Sequence, residues 1–169
     1  MAFGMYAASV PVYQRQLTAI SKVLDKAQAW ATAKKVDEAV LLGTRMTPDM
    51  LPFTRQVQIA CRFAEESVAR LAGAEVPKPP ENAEKNLSEL KTRIAAVLSA
   101  IGAYKPEQID GSDSRETTIT IGGNPMTLKC PQYLEHFAMP NFYFHCTTTY
   151  AILRQAGVEI GKRDFIGGL

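Results

Sequence analysis

The feature that most constrains the fold is a helical period that recurs in four long segments of the chain. In each segment, apolar residues return every three or four positions, which places them on one face of an α-helix. Four long helices joined by one long and two shorter connections predict an all-α four-helix bundle. The segments run from about Ser9 to Lys34, from Thr47 to about Ala72, from about Ala83 to Tyr104, and from near Pro131 to Gly157.

Local signals predict where the helices begin and end. Ser9 is a residue type that caps helices, and Pro11 suits the first turn that follows it. The order Thr47-Pro48-Asp49 predicts the start of the second long helix, with the acid near the positive end of the helix dipole. Gly73 favours the end of that helix.

Pro140 lies inside the fourth helical segment. A proline removes one backbone hydrogen bond, and its ring clashes with the carbonyl four residues earlier. We therefore expect a break or a kink at Pro140. We also expect a new helix start at Asn141, where backbone N–H groups would lack intrahelical partners.

The apolar period changes between the third and fourth helices. Residues 117–121 and 126–129 alternate in polarity, and Gly122-Gly123-Asn124 lies between them. Alternation on both sides of a glycine turn is typical of a β-hairpin. The sequence therefore predicts a small hairpin at about 117–129, inserted before the last helix.

Composition limits the kinds of partner that the protein is expected to bind and the compartment in which it is expected to lie. Of the 169 residues, 46% are hydrophobic, which is enough for one domain spanning 1–169. The net charge of +2 argues against a nucleic-acid partner. The sequence shows no secretory signal and no apolar run long enough for a membrane span, so we expect no membrane partner and a cytoplasmic location. Cys61, Cys130 and Cys146 are then interpreted as reduced thiols.

One face of the fourth helix carries the candidate functional residues. Asn141, His145 and Thr149 follow one another at intervals of four, so they share a face of this largely apolar helix. Gln56 borders the inward face of the second helix, where it could face His145 across the bundle. Buried polar side chains need partners, so these four residues either line a ligand pocket or hydrogen-bond one another and the other helices.

Other catalytic arrangements find little support in the sequence. Cys146 follows His145 directly, and neighbours on a helix project about 100° apart, so the two cannot form a nucleophile and base pair. His136 is expected at the surface. The sequence contains no phosphate-binding glycine loop, serine elbow or paired-cysteine zinc motif.

Four stretches of the sequence carry a resemblance to a known family. They are RMTPDM at 45–50, LAG at 71–73, PNFYFH at 140–145 and AILRQAGVEIGKRDFIG at 151–167. Through them nearly the whole chain resembles a bacterial domain family of unknown function in the DinB/YfiT-like superfamily, a group associated with metalloenzymes. The resemblance implies a DinB/YfiT-like four-helix bundle with a cavity between its second and fourth helices.

The resemblance also implies where a metal site would lie. In superfamily members that bind a divalent metal, one histidine comes from helix two and two come from a His-x-x-x-His pair on the last helix. Here His145 matches the second of that pair, Asn141 stands at the first, and the helix-two position falls near Gln56. One imidazole and two neutral amides are poor ligands for Zn²⁺ or Ni²⁺, so we expect no metal and no other cofactor.

The residues leave two functions open. In the first, His145, Asn141, Gln56 and Thr149 line an inter-helix pocket that binds or transforms a small molecule. In the second, the same residues form a core hydrogen-bond network in a non-catalytic bundle that assembles as a homodimer. The sequence does not decide whether the protein is an enzyme.

Overall fold

The computed structural model describes residues 4–168. Long helices dominate it, and they match the four segments with a helical period. They are α1 (Val10–Lys34), α3 (Phe53–Ala72), α4 (Leu87–Gly102) and α7 (Met139–Ala156), with short helices α2 (Glu38–Gly43), α5 (Pro106–Ile109), α6 (Cys130–Tyr133) and α8 (Lys162–Ile166) between and after them. The predicted helical bundle is confirmed.

The start of α3 differs from the prediction. This helix begins at Phe53 rather than at Thr47, and Thr47 instead donates a hydrogen bond from Oγ1 to Oδ1 of Asp49 at 2.6 Å within a turn. The reason is Pro52, because a proline disfavours helical backbone angles at the residue before it, here Leu51. The carbonyl of Pro52 accepts the first helical bond, from the N–H of Gln56. Gly73 ends the helix in a left-handed conformation, as predicted.

The helix α4 is also shorter than its predicted extent of 83–104. Its N-cap is Asn86, whose side-chain oxygen accepts a hydrogen bond from the N–H of Glu89 at 2.8 Å. Asparagine is among the preferred N-cap residues because its side chain satisfies an otherwise unpaired N–H of the first turn. The residues between α3 and Asn86 form an extended, proline-containing connector, which we call the 74–85 connector.

The predicted hairpin is present. Strands β1 (Glu116–Ile121) and β2 (Asn124–Lys129) pair antiparallel, and Gly122 and Gly123 connect them with positive φ angles of 56° and 86°. Positive φ at both turn positions is the geometry that matches the twist of a two-residue hairpin. Arg70 of α3 donates to the carbonyl of Thr118 at 2.8 Å and so attaches the hairpin to the bundle.

Pro140 does not interrupt the fourth helix. The chain is helical from Cys130 to Ala156, and residues Leu134–Ala138 form a wider π-helical turn in which the N–H of Met139 donates to the carbonyl of Leu134. A wider turn accommodates the proline ring without a break in the helix. The expected free helix start at Asn141 is therefore wrong, because the residues before it are already helical.

The helices α3 and α7 form the most extensive helix pair, and the candidate residues lie along their contact. Phe142 of α7 is fully buried where α7 meets α1, and it packs edge-on against Tyr13 of α1 with ring centroids 4.8 Å apart. Cys61, Cys130 and Cys146 are buried, unpaired thiols. Within the described residues, none of the helices combines the length and hydropathy that crossing a bilayer requires.

Candidate functional site

Gln56 of α3 and His145 of α7 meet across the bundle. Nδ1 of His145 lies 2.7 Å from Oε1 of Gln56. Gln56 is only 1% exposed, so its amide must find its partners within the protein. Of the residues selected from the sequence, Gln56 is the one that the fold brings to His145 from another helix.

A second hydrogen bond fixes the orientation of the Gln56 amide. Its Nε2 donates to the backbone carbonyl of Leu51 at 2.9 Å. A carbonyl can only accept, so the amide nitrogen must face Leu51 and the amide oxygen must face His145. Nδ1 of His145 is therefore the donor, and the network assigns the Nδ1–H tautomer to the neutral ring. The other ring nitrogen, Nε2, then carries the lone pair.

The surroundings of His145 keep its ring neutral. Burial of the imidazole, with a smaller contribution from the positive charge of Arg62, lowers the pKa of His145 from 6.5 to about 4. At neutral pH the ring is therefore uncharged. Nε2 has no hydrogen-bond partner among residues 4–168, and the half-buried ring leaves this acceptor open.

Aromatic rings surround the imidazole on two sides. Phe63 of α3 stacks on it with centroids 6.1 Å apart, and Phe144 of α7 contacts it edge-on at 5.2 Å. Phe144 is 54% exposed, so its ring is accessible from solvent. Leu51, whose carbonyl orients Gln56, is also exposed. The polar pair thus lies beside an apolar surface that reaches solvent.

Asn141 and Thr149 lie on the predicted face of α7 but bond within their own helix. Nδ2 of Asn141 donates to the carbonyl of Phe137 at 2.7 Å, beside the π-helical turn. Thr149 is buried, and its hydroxyl donates to the carbonyl of His145 at 2.8 Å. These two bonds support the backbone around His145, and neither residue contacts Gln56 through a hydrogen bond in the described range.

The larger cavities of the described residues lie away from His145. One of about 470 Å³ lies between α3, α4 and the 74–85 connector, and others of about 390 Å³ and 330 Å³ adjoin α1. His145, Gln56, Asn141 and Thr149 line none of these three. The His145 group is therefore described as a half-buried polar pair between α3 and α7.

The side chains around His145 do not form a suitable set of ligands for a transition metal. Oε1 of Gln56 is engaged by the imidazole, and Nδ2 of Asn141 is engaged by a backbone carbonyl. No group of three histidine, cysteine, aspartate or glutamate side chains converges anywhere in residues 4–168. A Zn²⁺ site needs several nitrogen, thiolate or carboxylate ligands, and here only Nε2 of His145 is available.

The buried cysteines contribute no thiolate. Burial raises the pKa of Cys61 to about 12 and that of Cys146 well above its usual 9.0, so both remain protonated thiols. His136 is exposed, as expected.

Three neighbours of His145 were not selected from the sequence, namely Arg62, Phe63 and Phe144. A signal for Phe63 existed, because it follows Gln56 by seven positions, two helical turns along the same face.

Known proteins place the chain in a family without assigning it an activity. Residues 5–166 match the family described as "Domain of unknown function (DUF1993)". The crystal structure of a DinB family member protein from Shewanella denitrificans is similar to this chain, with 37% sequence identity and a TM-score of 0.87, over 97% of this chain and 92% of that one. No curated protein matches the sequence. The chain therefore belongs to the DUF1993 family, and its fold is DinB-like.

Proposed function

We propose that the protein binds a small molecule at His145, where the neutral imidazole accepts a hydrogen bond at Nε2 from a hydroxyl or N–H group of the ligand. The hydrogen-bond chain from the Leu51 carbonyl through Gln56 to His145 carries this proposal. It orients the ring and assigns its proton to Nδ1, but it leaves Nε2 unused. Because the ring is only half-buried, Nε2 is free to accept a hydrogen bond from a ligand in place of water.

The apolar surface beside the imidazole indicates the rest of the ligand. The exposed ring of Phe144 lies against the imidazole and offers contact to a flat or aromatic body. Ligand sites commonly combine an apolar surface with a few fixed polar groups. The ligand we propose therefore has an apolar ring and one hydrogen-bond donor.

The low pKa of His145 favours a role in ligand binding over a role in acid–base catalysis. A general base works best when its pKa lies near the working pH. The pKa of about 4 makes His145 a weak base at neutral pH, although its lone pair still accepts hydrogen bonds. The site therefore supports recognition of a donor more directly than removal of a proton.

A homodimer is the second candidate, and one observation favours it. Tyr143 and Phe144 are adjacent on α7 and are 38% and 54% exposed. Exposed aromatic surface is common where a second copy of a chain binds. Sedimentation of the wild-type protein and of Phe144→Ala distinguishes this function, because a dimer formed through this surface would dissociate in the variant.

Phenol and anisole form the sharpest pair of probes for the His145 site. Both offer an aromatic ring, but only phenol has a hydroxyl that can donate to Nε2. We expect phenol to perturb the NMR signals of His145 and Phe144 and to bind about tenfold more tightly than anisole, as one hydrogen bond permits. His145→Phe is expected to remove this preference. Equal binding of the two probes, or an unchanged preference in His145→Phe, would overturn the proposal.

A further inference from the structure

A second group of polar residues surrounds a small cavity on the outer side of α3. Arg55, Gln58 and Arg62 follow one another at intervals of three and four, so they share one face of the helix. The 74–85 connector and α4 complete the cavity, which has a volume of about 50 Å³. Its polar lining residues are Arg55, Gln58, Arg62, Asn82 and Arg93.

The lining of this cavity carries an excess of positive charge. Three guanidinium groups contribute to it, and none of the described residues that line it carries a carboxylate. Arg93 is paired with Glu84. Arg62 lies 3.7 Å from Glu66 in an exposed pair of the kind that contributes little. Arg55 forms no ion pair within residues 4–168, so positive charge remains in excess.

The acidic side chains nearby belong to a different cavity. Glu65, Glu81 and Glu84 line the separate cavity of about 470 Å³, which Arg93 also borders. Glu84, which lines that larger cavity, is therefore the ion-pair partner of Arg93. This arrangement orients Arg93 and offsets its charge, so the excess positive charge of the small cavity belongs to Arg55 and Arg62.

Hydrogen bonds hold the donors of the small cavity in place. Arg55 donates to Oε1 of Gln58 at 2.7 Å, and Nε2 of Gln58 donates to Glu84 at 2.7 Å. Arg93 also donates to the carbonyl of Glu81 at 2.6 Å, and its side chain is only 9% exposed. Fixed guanidinium groups bind an anion with a smaller entropic cost than mobile ones do.

The size and charge of the cavity identify the class of ligand. A volume of about 50 Å³ exceeds the roughly 10–15 Å³ that one water molecule needs, so the cavity has room for a small ion. Guanidinium groups match phosphate oxygens with paired hydrogen bonds. We propose that this cavity binds a tetrahedral oxyanion, namely phosphate, either free or as the terminal phosphate group of a small metabolite.

Calorimetric titration with inorganic phosphate and with glycerol 3-phosphate tests this proposal. Ionic strength is held constant with chloride, and acetate is the planar anion for comparison. We expect phosphate or glycerol 3-phosphate to bind and acetate not to bind. Binding of glycerol 3-phosphate alone would identify a metabolite as the source, and binding of inorganic phosphate would identify the free ion. Absence of saturable binding for both would overturn the proposal.

Single substitutions locate the binding. Arg55→Gln and Arg62→Gln are each expected to weaken phosphate binding about tenfold or more, because each removes a charged hydrogen-bond donor. Arg62 is exposed, so its variant is expected to fold normally. Arg163→Gln, at an exposed arginine of α8, is the matched control and should leave the affinity unchanged.

His145→Phe should also leave phosphate binding unchanged, which separates this inference from the function proposed at His145. Equal affinity in Arg55→Gln, Arg62→Gln and wild type would contradict the site.

Discussion

Replacement of Phe142 by alanine is expected to lower the free energy of unfolding by about 3–5 kcal/mol. Phe142 is 0% exposed and packs edge-on against Tyr13, where α7 meets α1. Alanine would remove the ring and leave a cavity that the surrounding helices can fill only in part. A domain of this size has a total stability of about 5–15 kcal/mol, so this one change removes a large share of it.

Phe144 provides the matched control for this prediction. It lies two positions further along the same helix, but it is 54% exposed. Phe144→Ala is expected to change the free energy of unfolding by no more than about 0.5 kcal/mol. Urea denaturation of both variants measures the difference, provided that the slope m stays that of the wild type. Similar losses in the two variants would contradict the packing described for α7.

Gln56→Leu is expected to lower the free energy of unfolding by about 1–3 kcal/mol. The substitution keeps an apolar group of similar size but removes both hydrogen bonds of the amide. The carbonyl of Leu51 and the Nδ1–H of His145 would then lose their partner together. Gln155→Leu, at an exposed position of α7, should have little effect when measured in the same way.

A double variant tests whether the stability lost in Gln56→Leu depends on the presence of His145. In a His145→Phe background the unpaired Nδ1–H no longer exists, so Gln56→Leu should be less damaging than in the wild type. We expect a coupling energy of about 0.5–3 kcal/mol between the two positions, the range for residues in direct contact. Additive losses would mean that the hydrogen bond between Gln56 and His145 contributes nothing to stability.

Local sequence patterns were enough to predict most of the bundle. The four helical segments and the hairpin follow from periods of three to four and of two, which short stretches of sequence encode without reference to the fold. The misplaced start of α3 has a local cause as well. Thr47-Pro48 looks like a helix start, but Pro52 constrains Leu51 and moves the start to Phe53. Two competing proline signals lay within six residues, and the later one determined the boundary.

Pro140 shows where local reasoning reaches its limit. The proline predicted a break or a kink, and the helix does not break but widens into a π-helical turn between Leu134 and Ala138. Both responses remove the clash between the proline ring and the preceding turn. The choice between them depends on whether the flanking segments pack on the same core. Leu134, Ala138 and Phe142 are all buried, so the continuous helix is the one that keeps these side chains in the bundle.

The candidate site could be predicted only in part. Intervals of four on α7 and the position of Gln56 on α3 were enough to suggest that Gln56 and His145 face each other. The orientation of the Gln56 amide depends on the carbonyl of Leu51, in a turn whose path the sequence did not reveal. The arginine cavity combines α3, α4 and the 74–85 connector, and no local pattern brings three such elements together.

The central claim concerns the state of one ring, namely that His145 is neutral, carries its proton on Nδ1 and presents Nε2 as an open acceptor. ¹⁵N NMR of protein labelled in histidine measures all of this in one pH titration. We expect His145 to show the Nδ1–H tautomer at neutral pH and to titrate with a midpoint of about 4. A protonated Nε2 at neutral pH, or a midpoint near the ordinary value of 6.5, would contradict the account.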